Sequence, residues 1–133
     1  MALNPYLNFN GQCETAFKLY EKVLGGKIEF KMTHGESPMA DQVSADWQNK
    51  IMHITLRVED SVVMGSDAPP QYYQKPQGFA VSLGIKKPED AERIFKGLSE
   101  KGTVTMPLQQ TFWAKKFGTL TDQFGIPWMI NCE

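Results

Sequence analysis

Thr111–Asn131 reads TFWAKKFGTLTDQFGIPWMIN, and its interpretation decides the fold. Two strand candidates, Lys115–Thr121 and Ile126–Cys132, flank the turn Asp122-Gln123-Phe124-Gly125. Trp128 shares the parity of Ile126 and Ile130, which assigns its ring to the core side of the last strand, whereas Met129 has the opposite parity. Phe112 and Trp113 open the stretch beside a turn around Ala114. Aromatics so placed belong either to core or interface, or to a cleft mouth where they stack on a planar ligand.

Working back toward the N-terminus, Thr103–Gln110 is a further strand candidate, and Gly102 stops the helix before it. In that helix Ala91, Ile94, Phe95 and Leu98 recur at helical spacing. Pro88 stands where a first helical residue tolerates it, and Glu89 and Asp90 suit a helix N-terminus. Before the helix, Phe79, Val81, Leu83 and Ile85 alternate with Ala80, Ser82 and Gly84, which predicts a half-buried strand. The same order occupies the first half. Leu3, Leu7 and Phe9 alternate with Asn4, Tyr6 and Asn8. Cys13, Ala16, Phe17, Tyr20, Val23 and Leu24 form a helical stripe that Gly25-Gly26 ends. Strands are predicted from Lys27 to about His34, from Lys50 to Val58 and over Ser61–Ser66, with Glu59-Asp60 as a tight turn. Residues 35–50 lack a clear period and read as a mobile loop, and residues 67–77, with Pro69, Pro70, Pro76 and the pair Tyr72-Tyr73, read as a second loop between halves.

The chain is therefore an α+β protein built from two βαβββ modules, at about 1–68 and about 78–133, within a single domain spanning 1–133. One helix per module covers one sheet face, so the other face must be buried elsewhere, which predicts curved mixed sheets around a concave cleft. The same incompletely covered faces predict a homodimer, with modules pairing within one chain or across two. A length of 133 residues buries a core without disulfides, and the 41% hydrophobic and 22% charged content is that of a globular protein. A net charge of −1 with no basic stripe excludes an electrostatic nucleic-acid footprint. No apolar run approaches the ~20 residues that cross a bilayer, which gives no membrane partner. The start MALNPYLNF has no export signal, and two distant cysteines make no disulfide scaffold, so the expected compartment is cytoplasmic.

The element order and several segments resemble the glyoxalase, bleomycin-resistance and dioxygenase (vicinal oxygen chelate) superfamily, and within it the PhnB-like branch. Those segments are Pro5-Tyr6-Leu7, Tyr20 to Gly26, His53, Ser66-Asp67-Ala68 and the Thr111–Asn131 stretch. The resemblance spans essentially the whole chain. Branch members carry the label of ubiquinone-pathway methyltransferases, but a nucleotide-type cofactor needs a Gly-rich strand-to-helix turn. Here stand only Asn10-Gly11 and Lys86-Lys87-Pro88.

The resemblance also implies four inward positions that hold a divalent metal in active members. They fall at Tyr6, near Met64, at Ala80 and at Met129. Phenol, thioether and methyl groups do not replace imidazoles and carboxylates, and neighbours of the right parity such as Ser82 and Asn131 restore no ligand set. No metal and no cofactor are expected. His53 shares a face with Thr55 and Arg57, away from the aliphatic core, where an imidazole acts as a base, holds a ligand, or is a structural histidine. Tyr6 has inward parity and a polar tip. Glu36 and Asp41 near His34 read as solvated loop charge, and Cys13 as a small apolar residue.

The resulting expectation is a small-molecule binder with a cleft lined by Tyr6, His53, Met64, Ser82, Trp113 and Met129. A metal-dependent lyase, isomerase or dioxygenase of the same superfamily is the alternative, and a purely structural interaction module a third reading. The ligand's identity is not encoded in any motif.

Overall fold

A computed structural model describes all 133 residues. Its element order is β1 (Tyr6–Phe9), α1 (Cys13–Leu24), β2 (Lys27–Thr33), β3 (Ile51–Val58) and β4 (Ser61–Asp67), then β5 (Val81–Gly84), α2 (Pro88–Ser99), β6 (Thr103–Gln109), β7 (Lys116–Thr121) and β8 (Pro127–Cys132). The chain divides into two compact units, Met1–Gln74 and Lys75–Glu133. In the first the sheet order is β1-β4-β3-β2, in the second β5-β8-β7-β6. Each sheet is mixed, with its first and last strands parallel and the other pairs antiparallel. The duplication read from residue order thus extends to strand order.

In the first unit, the stripe Cys13, Ala16, Phe17, Tyr20 and Val23 of α1 is buried. So are Leu7, Phe9, Ile54, Leu56 and Val63 of the sheet. Phe9 and Phe17 meet edge to face at 5.9 Å, as do Phe17 and Tyr20 at 5.6 Å. Each such side chain stabilises by roughly 2 kcal/mol through burial, so this layer is the main source of the unit's stability. Gly25 closes the helix in the left-handed region at φ +73°, and its N–H reaches the Glu21 carbonyl.

The start of α1 is held from a distance. Gln12 makes no side-chain cap there. Instead the buried Asp67 carboxylate accepts the N–H groups of Gly11 and Cys13 on Oδ1, and that of Ile51 on Oδ2, each at 2.9 Å. One side chain at the end of β4 thereby ties the helix N-terminus to the head of β3. A carboxylate suits the positive end of the helix dipole.

The second unit buries Ala91, Ile94, Phe95 and Leu98 of α2, together with Leu120, Ile126, Trp128, Ile130 and Cys132. Asp122 organises its signature turn. Its Oδ1 accepts from the N–H groups of Phe124 (2.9 Å) and Ile126 (3.0 Å), and its Oδ2 from the indole Nε1–H of Trp128 (2.8 Å). Trp128 is core, as its parity predicts.

Two strands start later than alternation predicts. Leu3 is 91% exposed and β1 begins at Tyr6. Pro5 has no N–H to give to the ladder, although its carbonyl still accepts from Met64. Phe79 is 49% exposed and β5 begins at Val81. Extending the β5–β8 register, in which Val81 lies beside Trp128, would set Ala80 beside Pro127, which again cannot donate. Residues 35–50, read as a mobile loop, carry three short 3₁₀ turns, His34–Glu36, which starts one residue earlier, Ala40–Gln42 and Ala45–Trp47. Thr33 and Glu36 form a reciprocal capping box there, and the Gln48 amide donates to the Ala40 and Val43 carbonyls at 2.8 and 3.1 Å. The segment is pinned by hydrogen bonds at both ends.

Candidate functional site

Strand pairing in the first unit sets Tyr6 beside Met64, Met64 beside Thr55, and Thr55 beside Phe30. This row crosses all four strands on the face opposite Leu7, Leu56 and α1. His53 lies one pleat along β3, beside Met32. Its Nδ1 is 3.2 Å from the Tyr6 hydroxyl and its Nε2 is 3.1 Å from Thr55 Oγ1. The Tyr6 and Phe30 rings stand 5.7 and 6.0 Å from the imidazole. Tyr6 stays 43% exposed and Phe30 46%.

The result is a short polar chain, Tyr6–His53–Thr55, set among Phe30, Met32 and Met64. Both hydroxyls donate or accept, so either neutral tautomer of His53 satisfies both contacts, one ring nitrogen donating and the other accepting. The phenol can therefore present an O–H donor or an oxygen acceptor outward without stranding the imidazole. That is a hydrogen-bonding contact of switchable polarity beside Phe30, Met32 and Met64, with the Ser66 and Asn8 side chains on the same face. Farther along the same face, the Arg57 Nε–H donates to Glu29 Oε1 at 3.0 Å, so this guanidinium is already engaged by a carboxylate.

In the second unit, Ser82 lies beside Met129, and Met129 beside Thr119, on the face opposite Trp128 and α2. The Thr119 and Thr105 hydroxyls bond at 2.6 Å. Trp113 is 47% exposed and meets the edge of Phe117 at 5.2 Å and Phe112 at 4.7 Å. Neither Phe112, at 97% exposure, nor Trp113 is core. The structure therefore groups Tyr6, His53 and Met64 on one open face. It places Ser82 and Met129 side by side on another, with Trp113 over Phe117 on the neighbouring strand.

The metal positions of the superfamily fare poorly on donor chemistry. Tyr6 and Met64 are adjacent, Ala80 precedes β5, and Ser82 is the in-strand residue of that parity, beside Met129. Phenol, thioether and hydroxyl do not make a divalent-metal ligand set. Nowhere do three or more His, Cys, Asp or Glu side chains converge in a way that could hold a metal ion. The residues do not fit the group.

Other candidates resolve into structure. Glu36, read as loose loop charge, accepts from Thr33 N–H (2.9 Å) and Oγ1 (3.0 Å), and the Thr33 backbone bond foremost holds its carboxyl below the usual range. The signal was present as Thr33-x-x-Glu36. Burial, then the Asp67 and Glu14 charges, push the Cys13 thiol far up, so it is not a nucleophile. The α1 N-terminus, a position whose free N–H groups favour an anion, is filled by the Asp67 carboxylate. Thr55 is the member of the polar chain that residue-by-residue reading did not single out; its parity with His53 marked it.

Two mixed βαβββ sheets of this order define the glyoxalase-type fold. A member of the glyoxalase/bleomycin resistance protein/dioxygenase superfamily from Sphaerobacter thermophilus shares it, with a TM-score of 0.59 at 19% identity over 100% of this chain and 98% of that one. Within that class, the chain belongs to the family described as 3-demethylubiquinone-9 3-methyltransferase, the PhnB-like family, which matches residues 1–131. Protein YjdN of Escherichia coli (strain K12) is 38% identical over 139 residues, covering 98% of this chain and 95% of YjdN. PA1353 from Pseudomonas aeruginosa is 46% identical with a TM-score of 0.92, covering 100% of this chain and 98% of that one. A PhnB protein from Bacillus cereus has a TM-score of 0.84 at 20% identity, with each chain covered over 100% of its length. No helix of the chain is long and apolar enough to cross a membrane.

Proposed function

We propose that this chain is a metal-independent binder of a small, oxygen-bearing molecule with an apolar body. The carrying observation is the Tyr6–His53–Thr55 chain, a polar contact of adjustable donor and acceptor sense among Phe30, Met32 and Met64. A few oriented polar groups on an apolar lining are the usual composition of a ligand pocket. Ser82, Trp113 and Met129 on the second unit's open face are proposed as further ligand-facing residues: one hydroxyl, one stacking ring and one adaptable thioether. The two units are proposed to work as one domain, in a homodimer, because each sheet carries its helix on one face only. Cytoplasmic residence is proposed with it, and both free cysteines are buried.

A methyl-transfer role, which the family's description names, draws no support from these residues. No Gly-rich turn follows β1 or β5, and the N–H groups of Gly11 and Cys13 at the first helix start are already bonded to Asp67.

The test is thermal-shift screening against a panel of small carbonyl, phenol and carboxylate metabolites. A ligand at 100 times its Kd stabilises by about 2.7 kcal/mol, a readily measured rise in Tm. The shift should fall in Tyr6→Phe and vanish in His53→Ala and Met129→Arg. A hit whose stabilisation is unchanged in all three contradicts the assignment. Light scattering at micromolar concentration should return a dimer, and a monomer contradicts that part.

A further inference from the structure

We propose that the second unit holds a site for a small zwitterion, a molecule with an ammonium and a carboxylate on a short skeleton, at the Gly84 end of β5. This inference does not rest on the reading above and uses none of its residues.

Gly84, Asn131 and Phe117 are neighbours across β5, β8 and β7. A Cβ built on Gly84 would meet nothing within 4 Å, so the missing side chain leaves space beside Asn131. That space is a cavity of about 300 Å³ lined by Gly84, Ile85, Lys86, Asn131 and Glu133. It sits at the small end of the roughly 300–1,000 Å³ range of ligand pockets, which leaves room for a short-skeleton molecule together with water.

Three groups in the lining define the chemistry. Asn131 Oδ1 is buried without a hydrogen-bond partner, an expense native proteins seldom leave unmet. The amide cannot be turned to hide this, because its Nδ2–H donates to Glu133 Oε1 at 3.2 Å and a carboxylate only accepts. Lys86 and Glu133 carry opposite charges on the same cavity, yet neither enters an ion pair. A simple anion meets Glu133 and the Asn131 lone pairs, and a simple cation meets Lys86. A zwitterion matches the two charges, its N–H groups donating to the Glu133 carboxylate and its own carboxylate accepting from Lys86, and a small tilt of the Asn131 amide toward the cavity brings Oδ1 within reach of a further N–H.

The experiment is a ¹⁵N–¹H correlation titration of the full chain with glycine, β-alanine and γ-aminobutyrate, which step the charge separation, with acetate and methylammonium as single-charge controls. At least one zwitterion should shift the Gly84 and Ile85 amides and the Asn131 side-chain amide saturably. Each control should bind about tenfold more weakly, the order expected for loss of one charge-assisted contact. Lys86→Met should weaken binding by a similar factor, and Gly84→Val, whose dispersed spectrum checks folding, should abolish it. Tyr6→Phe should leave it unchanged, which separates this site from the first unit's open face. The proposal is overturned if no zwitterion saturates below about 50 mM, a level far weaker than ordinary metabolite binding, so that water alone serves Asn131. It is also overturned if acetate binds as well, or if Lys86→Met changes nothing.

Discussion

Replacing Asp67 by Asn tests whether one carboxylate joins α1, β3 and β4. The side chain is 2% exposed and accepts three N–H groups, two on Oδ1 and one on Oδ2. Asn is nearly isosteric but has one oxygen. Its best orientation keeps that oxygen toward Gly11 and Cys13 and turns the NH₂ against the Ile51 N–H, two donors facing each other in a dry interior. Leaving a buried donor unpaired costs about 1–3 kcal/mol. The two remaining bonds lose their charge assistance, at about 1 kcal/mol each, while relief of carboxylate desolvation returns part of the sum. The net loss should be about 3 kcal/mol, a large share of the 5–15 kcal/mol typical of a folded domain. Asp67→Ala, which strands all three N–H groups, should lose more. Urea unfolding followed by far-ultraviolet circular dichroism measures both. A loss below about 1 kcal/mol for both variants would refute the role assigned to Asp67.

Trp128→Phe removes the indole N–H that reaches Asp122 Oδ2 and shrinks a ring that is 1% exposed, so it should cost about 2 kcal/mol by the same assay. A loss within about 0.5 kcal/mol would show that the signature turn does not need this anchor. The Glu14–Lys31 pair predicts a pH effect. The hydrogen bond from Lys31 Nζ at 2.7 Å lowers the Glu14 pKa and raises that of Lys31. A depressed carboxylate contributes stability above its ordinary value of 4.5 that is lost as pH falls through the lowered value. Lys31 contributes below its ordinary 10.5, and that share is lost as pH rises beyond it. Tm should therefore decline on the acid side less steeply in Glu14→Gln than in the wild type; parallel acid limbs would remove the pair from the account.

Much of the molecule is legible without coordinates, and for one reason. Helix stripes and strand alternation are local periods, so Cys13–Leu24, Pro88–Ser99 and the parity of Trp128 against Met129 follow from spacing alone. The face on which Tyr6, His53 and Thr55 stand is equally a matter of parity. The misplaced strand starts at Leu3 and Phe79 have a different origin. Alternation continues past the point where Pro5, or Pro127 on the partner strand, ends the ladder, and hydrogen-bond supply outranks hydrophobic pattern.

Side-chain partners lie beyond any local period. Register brings Tyr6 and His53, 47 residues apart, to 3.2 Å, and Asp67 to Gly11, 56 residues away. Nothing in the neighbourhood of Asp67 marks it as the cap of a helix that begins at Cys13. Nor does spacing disclose that Gly84 faces open space beside a buried, unpartnered amide oxygen. The sequence alone determined which faces exist and which residue types they carry, because those follow from covalent geometry and solvent. Only the tertiary structure decided which groups on a face touch, because contact depends on strand register, set by the whole sheet at once.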